Sequence, residues 1–121
     1  MRKQIVYYMD PRGFEPVREF IYTLSSDERE KCLEYIGYLE ATGEDLRRPI
    51  ADYLGNKIYE LRPKQTGIVY FFMLKDYAIL LHAFRKKTNQ VPEREIKIAQ
   101  KMMADFMIRY HRGELLLEDH T

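Results

Sequence analysis

Residues 68–85 read IVYFFMLKDYAILLHAFR, two long apolar runs divided by Lys75 and Asp76. Both runs are rich in β-branched and aromatic residues, which are typical of strands. A two-residue polar break between such runs predicts a tight turn and therefore an antiparallel hairpin. The first run is apolar without alternation, as expected of a strand that is covered along its whole length. The spacing of the runs suits an antiparallel meander.

The chain before the hairpin predicts a strand, a turn and a pair of helices. Residues 4–8 (QIVYY) have the composition of a strand, and residues 10–13 (DPRG) have turn chemistry. Apolar residues then recur at helical spacing and predict a first amphipathic helix: Phe14, Val17, Phe20, Ile21 and Leu24.

A capping box marks the start of the second predicted helix. Ser25 and Glu28 have the spacing at which the serine oxygen and the glutamate satisfy free amides of the first turn. Gly43 is the predicted C-terminal stop of this helix. Its predicted buried stripe consists of Leu33, Ile36 and Leu39.

The segments on either side of the hairpin predict a further strand and a long helix. Residues 57–62 (KIYELR) are a strand candidate, and Pro92 suits the first turn of a C-terminal helix. Gly113 is the predicted exit from that helix, and residues 113–121 are predicted to form a flexible tail. The apolar face of the helix consists of Ile96, Ala99, Met103, Phe106 and Tyr110.

The predicted order is one strand, two helices, three strands and one helix. Because strands and helices are largely segregated, the fold class is α+β: a small antiparallel sheet of three to four strands, packed with an N-terminal helical hairpin and a C-terminal helix. The first strand can join either edge of the sheet, and the pattern leaves both open. A length of 121 residues predicts a single domain over residues 1–121.

The composition is that of a globular protein, with 45% hydrophobic and 32% charged residues. Cys32 is the single cysteine, so the chain has neither an internal disulfide nor a cysteine metal cluster, which suits a reducing cytoplasm. We expect Cys32 to be a small core residue. The apolar runs are too short for a signal peptide or a membrane span. The expectation is therefore a soluble cytoplasmic protein without membrane association.

Charge is distributed unevenly along the chain. Residues 1–46 carry a net charge of −4, whereas residues 47–112 carry +8. A basic half is typical of a nucleic-acid contact surface, and it is equally compatible with cations that only solvate helices. The densest cluster, Arg85-Lys86-Lys87, follows directly after the hairpin.

Strand periodicity assigns the side chains of residues 77–86 to two faces. One predicted face holds Ala78, Leu80, His82, Phe84 and Lys86, and the other holds Tyr77, Ile79, Leu81, Ala83 and Arg85. In an antiparallel meander, Arg62 and Lys64 lie near the start of the hairpin. A cleft lined by Lys57, Arg62, Lys64 and residues 85–87 requires a register that the pattern leaves open.

Several of these segments together resemble a known family. The motifs ELRP (residues 60–63), LLHAFRKKT (residues 80–88), Pro92 and EREIKIAQ (residues 93–100) have the order and spacing of the phage-derived Gp49-like group of HigB toxins. These toxins belong to the RelE/ParE toxin superfamily. The resemblance covers residues 3–110.

The resemblance implies a compact α+β microfold, a helix-turn-helix antitoxin as partner, and cleavage of mRNA on the translating ribosome. It implies no cofactor and no metal, because the RNA brings its own nucleophile. The ribose 2′-hydroxyl attacks the neighbouring phosphate, and negative charge accumulates on the phosphoryl oxygens in the transition state. Fixed cations stabilise that charge, arginine as a planar fork and lysine as a point charge.

The resemblance assigns catalytic roles to Arg62 as a phosphate clamp and to Lys86 and Lys87 as charge stabilisers or proton donors. His82 is a candidate general acid or base, although its place in an apolar strand favours a structural histidine. Candidate RNA contacts are Lys57, Tyr59, Lys64 and Arg85, with Tyr59 either stacking on a base or packing in the core.

One position departs from the family pattern. Many relatives have an arginine at the start of the central strand, in runs resembling YRIFY, whereas residues 66–70 of this chain read TGIVY. The departure implies either that Lys64 replaces the arginine or that the nuclease is weak. It keeps two alternatives open: a non-catalytic toxin that binds DNA gyrase, resembling the ParE branch, and a degenerate toxin that retains only antitoxin binding.

Overall fold

The computed structural model describes residues 2–117, which form five strands, three α-helices and one short 3-10 helix. The strands are β1 Gln4–Tyr7, β2 Ala51–Gly55, β3 Ile58–Leu61, β4 Thr66–Met73 and β5 Tyr77–Arg85. The helices are α1 Pro16–Tyr22, α2 Ser26–Thr42 and α3 Glu93–His111. The predicted α+β class is confirmed.

The five strands form one open sheet in the order β1-β5-β4-β3-β2. The predicted hairpin is its centre, with β4 and β5 paired antiparallel around a turn at residues 74–76. Strand β1 joins the edge beside β5 and runs parallel to it, with Gln4 opposite Tyr77. The tertiary structure thus decides which edge the first strand occupies.

Helices cover both faces of this sheet. Residues of α1 and α2 pack with Ala78, Leu80 and Ala83 of β5 in one core. Residues of α3 pack with Ile79 and Leu81 in a second core on the opposite face. Both central strands are therefore buried on two faces, which explains their unbroken apolar sequence. None of the helices within residues 2–117 is long and apolar enough to span a membrane.

The sheet has one strand more than the predicted maximum of four. The strand that the sequence interpretation missed is β2, which pairs antiparallel with β3. Asn56 and Lys57 connect them with φ angles of 51° and 69°, as a two-residue primed turn requires. Lys57 therefore lies in the turn and not in the strand. The adjacent glycine and asparagine at residues 55 and 56, both turn-favouring types, are the signal that identifies this connection.

Strand β5 contains a β-bulge, and its side chains therefore do not alternate between the two faces as predicted. Tyr70 pairs with Leu80 whereas Val69 pairs with His82, so Leu81 is an extra residue in the strand. An extra residue reverses the alternation beyond it. His82, Phe84 and residue 86 consequently lie on the α3 side and not with Ala78 and Leu80. The prediction that Ala78, Leu80, His82, Phe84 and Lys86 share one face was therefore wrong.

The helix signals agree with the structure at both ends of α2. Ser25 accepts a hydrogen bond from the Glu28 amide at 3.3 Å, which confirms the capping box. Gly43 has a φ of 64° at the C-terminal end, a conformation that glycine adopts without strain. The predicted apolar stripe is wrong in one member, because Cys32 is buried in place of Leu33, which is 50% exposed.

Two further apolar predictions have different outcomes. Phe14 lies before α1 and is 51% exposed, so it does not belong to the buried face of that helix. The predicted apolar face of α3 is confirmed, because all five of its residues belong to or pack against the second core. In the predicted tail, Leu115 and Leu117 pack against the same core, and residues 118–121 lie outside the described residues.

Candidate functional site

A basic cleft opens at the end of the sheet where β3 and β5 end and β4 begins. Its volume is about 400 Å³, and it is lined by Arg48, Pro49, Arg62, Lys64, Gln65, Lys86, Lys87, Thr88 and Asn89. Antiparallel pairing explains why residues so distant in sequence meet here. Thr66 pairs with Arg85, Ile68 pairs with Leu61, and Leu61 pairs with Ala51, so four strand ends converge.

Backbone hydrogen bonds hold the connecting segments of the basic cleft together. The Arg62 amide donates to the Ile50 carbonyl at 2.9 Å, and the Lys86 amide donates to the Gln65 carbonyl at 2.6 Å. These bonds extend the strand pairing past the ends of the regular strands. The cations consequently lie on segments whose backbone is held in place by the sheet. A rigid backbone of this kind favours a binding site, because the side chains need little rearrangement when a ligand binds.

A buried carboxylate lies beneath the cations. Glu60 of β3 is almost fully buried, and its Oε2 lies 2.7 Å from the Lys86 ammonium while its Oε1 lies 3.8 Å from Nε of Arg62. Burial raises the pKa of Glu60, and the charge of Lys86 acts in the opposite direction. We infer that the pair is ionic, because the two charged groups are in contact and share one desolvated site. Glu60 thereby restrains both Lys86 and Arg62.

The departure from the family pattern at Gly67 has a structural explanation. A Cβ atom at this position would lie 2.6 Å from Cζ of Phe84 and 2.8 Å from Oε2 of Glu60. Both distances are below van der Waals contact, so a larger residue requires its neighbours to move. The space that a side chain at the start of β4 would need is occupied by the carboxylate that pairs with Lys86.

The cations of the basic cleft differ in exposure. Lys64 and Lys87 are exposed, Arg62 is half-buried, and Lys86 is buried. Arg48 is 69% exposed at its side chain and donates to Oδ2 of Asp52 at 2.7 Å. That hydrogen bond is the main cause of the lowered pKa of Asp52, so the carboxylate is anionic at neutral pH. The exposed cations are available to a ligand, whereas the Lys86 ammonium is buried and held by its ion pair with Glu60.

The structure places four of the predicted site residues in the basic cleft: Arg62, Lys64, Lys86 and Lys87. His82 lies outside its lining, on the α3 side of the sheet, where Nε2 is 3.0 Å from Oε2 of Glu95. Arg85 points to the opposite face and donates to Oε2 of Glu28 at 3.1 Å. Strand pairing separates these two residues from the clustered cations.

Lys57 and Tyr59 also lie away from the basic cleft lining. Lys57 is in the β2–β3 turn, separated from Arg62 by about 16 Å of extended strand. Tyr59 packs among aromatic rings, with its centroid 5.4 Å from that of Tyr70. Sequence reasoning missed Arg48, because no element was predicted in that part of the chain. The available signal was the pair of arginines, Arg47 and Arg48, directly before a proline.

Comparison with known families gives one match that covers most of the chain. The family model described as Phage derived protein Gp49-like (DUF891) matches residues 19–104. This range includes α2, the whole antiparallel part of the sheet and the basic cleft. A comparison with curated proteins finds no match.

Proposed function

Because the chain belongs to the phage-derived Gp49-like family, the family of RelE/HigB-like toxins, we propose that it is the toxin of a type II toxin–antitoxin system and cleaves mRNA on the ribosome. The observation that carries the proposal is the convergence of five cations, from three separate segments, on one cleft: Arg48, Arg62, Lys64, Lys86 and Lys87. Polyanions are the natural ligands of such a cluster. An enzyme of this kind acts in the cytoplasm, where the ribosomes are.

In the proposed reaction the ribose 2′-hydroxyl gives up its proton to solvent water, its oxygen forms a bond to the adjacent phosphorus, and the bond to the 5′-oxygen of the next nucleotide breaks. Arg62 holds the phosphate, since its guanidinium is half-buried and restrained by Glu60. Lys87 is exposed and stabilises the charge that accumulates on the phosphoryl oxygens. Lys86, at the base of the basic cleft, either stabilises the negative charge on the phosphoryl oxygens or donates a proton to the leaving 5′-oxygen.

The test is induction in cells followed by mapping of RNA ends. The wild type is expected to halt translation and to leave cuts within otherwise intact messages. Arg62→Ala and Lys87→Ala are each expected to reduce cutting by about 100- to 1,000-fold, by analogy with the loss of one donor to a transition-state oxyanion. Lys97→Ala, which removes an exposed cation on α3, is the matched control and should cut like the wild type.

Two results would contradict the proposal. One is an induced wild type that arrests growth without new RNA ends. The other is wild-type cutting by the combined Arg62→Ala, Lys86→Ala and Lys87→Ala variant, which would remove the site assignment.

A second candidate is the non-catalytic toxin of the ParE type, which binds DNA gyrase. A single observation favours it. Glu60 and Phe84 occupy the space that a side chain at residue 67 would need, so no cation can be placed there. This alternative predicts a DNA-damage response with translation initially intact. A degenerate toxin that binds only its antitoxin would produce neither response.

The proposed partner is a helix-turn-helix antitoxin. The surface charge of the basic cleft favours a partner segment with acidic residues, which would cover the cations. Co-purification with the product of an adjacent gene encoding a small helix-turn-helix protein tests this pairing.

A further inference from the structure

A second cleft lies beside the basic cleft and shares a wall with it. We name it the aromatic cleft; its volume is about 590 Å³ and its lining includes Arg47, Arg48, Asp52, Tyr53 and Tyr59. Arg48 lines both clefts. The two clefts are therefore adjacent at Arg48.

The aromatic wall is a cluster of contacting rings, tilted or edge-on except for the stacked pair of Tyr59 and Tyr70, and its outermost residue, Tyr53, faces solvent. The Tyr53 ring is 55% exposed, and its centroid lies 4.9 Å from that of Tyr59. Tyr59 is supported from behind by Tyr70 and Phe72, whose centroids are 5.4 and 5.2 Å away. The hydroxyl of Tyr53 also accepts the Lys57 amide at 3.1 Å, which fixes the ring's outer end. An exposed ring is thus held in place before any ligand arrives.

The aromatic cleft also contains charged side chains. Arg47 and Arg48 are exposed at its rim, and Asp52 orients Arg48 through the hydrogen bond at 2.7 Å. The lining also holds Glu44, whose carboxylate is paired with the Lys3 ammonium at 2.6 Å. A flat, supported aromatic ring beside exposed guanidinium groups is the combination that binds single-stranded nucleic acid, with the ring stacking on a base and the cations contacting the backbone. The volume is within the range of sites that hold a small ligand.

We propose that the aromatic cleft is a nucleobase subsite, in which the base of a nucleotide flanking the scissile phosphate stacks on Tyr53 while Arg48 contacts the connecting backbone. This inference rests on the proposed function, because it takes the basic cleft as the phosphate site. It assigns Tyr53 a direct contact with substrate and Tyr59 the supporting position behind it.

The experiment measures the affinity for a short single-stranded RNA whose sugars are all 2′-O-methylated, so that binding is observed without cleavage. Fluorescence anisotropy at low salt compares an end-labelled trinucleotide with versions in which one base at a time is removed. Tyr53→Ala is expected to weaken binding of the intact strand by about 5- to 150-fold. It should have little effect on the strand that lacks the stacked base. Tyr53→Phe keeps the ring and loses only the hydrogen bond from the Lys57 amide, so it should retain most of the affinity.

Tyr22→Ala is the matched control, because Tyr22 is an exposed tyrosine that lines a different cleft. An equal loss for Tyr53→Ala on all abasic strands, or no loss on the intact strand, overturns the subsite. If Lys87→Ala weakens binding while Tyr53→Ala does not, the subsite fails and the phosphate site stands. If the wild type binds none of these strands, the subsite is overturned, and the nuclease is judged separately by the mapping of RNA ends in cells.

Discussion

The carboxylate of Glu60 is a single group on which two cations of the basic cleft depend. It lies 2.7 Å from Lys86 and 3.8 Å from Arg62, and it is itself almost fully buried at the base of the basic cleft. Removing one partner of a buried ion pair leaves the other charge without compensation, and this costs more than the pair contributes as a whole. The arrangement therefore has a measurable signature in stability.

We predict that Glu60→Gln lowers the free energy of unfolding by about 3 kcal/mol, because the Lys86 ammonium then lies buried without a counter-charge. Lys86→Met alone is expected to be destabilising as well, because the Glu60 carboxylate is then buried without a counter-charge. The double variant should recover much of the loss, which urea denaturation of all four proteins will show as a coupling energy. Strictly additive losses would mean that the two groups do not interact.

Gly67 yields a second prediction at the scale of one residue. Gly67→Ala places a methyl group within 3 Å of Phe84 and Glu60, both of them buried, and we expect a loss of about 1–3 kcal/mol in the free energy of unfolding. The control is Gly37→Ala in α2, where the added carbon would have no atom within 4 Å apart from its chain neighbours and the local backbone of the same helix. That change should stabilise the protein by about 1 kcal/mol, because alanine is the better helix former. Equal effects at the two positions would contradict the packing argument.

At the scale of elements, α3 is tied to the end of β1 by Asp105. Its Oδ2 accepts hydrogen bonds from the Tyr8 hydroxyl at 2.8 Å and from Nη2 of Arg109 at 2.6 Å. Partial burial of Asp105 acts to raise its pKa, but the hydrogen bonds from Arg109 and Tyr8 prevail and lower it. Arg109 also contacts the Met9 carbonyl, so one carboxylate organises the contact between the helix and the strand.

This lowered pKa predicts the pH dependence of stability. A carboxyl group whose pKa is lower in the folded than in the unfolded protein stabilises the fold above the unfolded value, about 3.9, and the contribution is lost as the pH falls through the folded pKa. Asp105→Asn should therefore cost about 1–2 kcal/mol at pH 7 and much less at pH 3, as measured by urea denaturation. Glu30→Gln, a change at an exposed carboxylate of α2, should show no such dependence. A loss for Asp105→Asn that is the same at both pH values would refute the linkage.

The β5 strand shows what local pattern can and cannot predict about an element. Its existence, length and apolar character follow from composition, because β-branched and aromatic residues favour a pleated, buried backbone. The bulge at Leu81 follows from pairing with β4, and one extra residue moves His82 and Phe84 to the other face. The prediction of faces was therefore correct up to the bulge and wrong beyond it.

At the scale of the whole molecule, the proposed function predicts how salt changes RNA affinity. Lys64 and Lys87 are exposed cations of the basic cleft, and each is expected to release about one counterion from bound RNA. Lys64→Ala and Lys87→Ala should each weaken binding of the 2′-O-methylated strand and reduce the slope of log affinity against log salt by about 0.7. Lys97→Ala, on α3 and outside the lining of both clefts, should leave the slope unchanged. Equal slopes for all four proteins would place the RNA elsewhere.

What the sequence determined by itself is local. Helical spacing, the Ser25 capping box, the glycine exits and the apolar hairpin depend on neighbouring residues, and the structure has each of them. The family motifs likewise indicate Arg62 and Lys86 as candidate site residues. What only the tertiary structure decided is which strand ends meet, because register depends on pairing between distant segments and on a bulge that alternation does not reveal. That pairing brings Arg48 to the cleft and the Glu60 carboxylate under Lys86, and it separates Lys57 from the cluster.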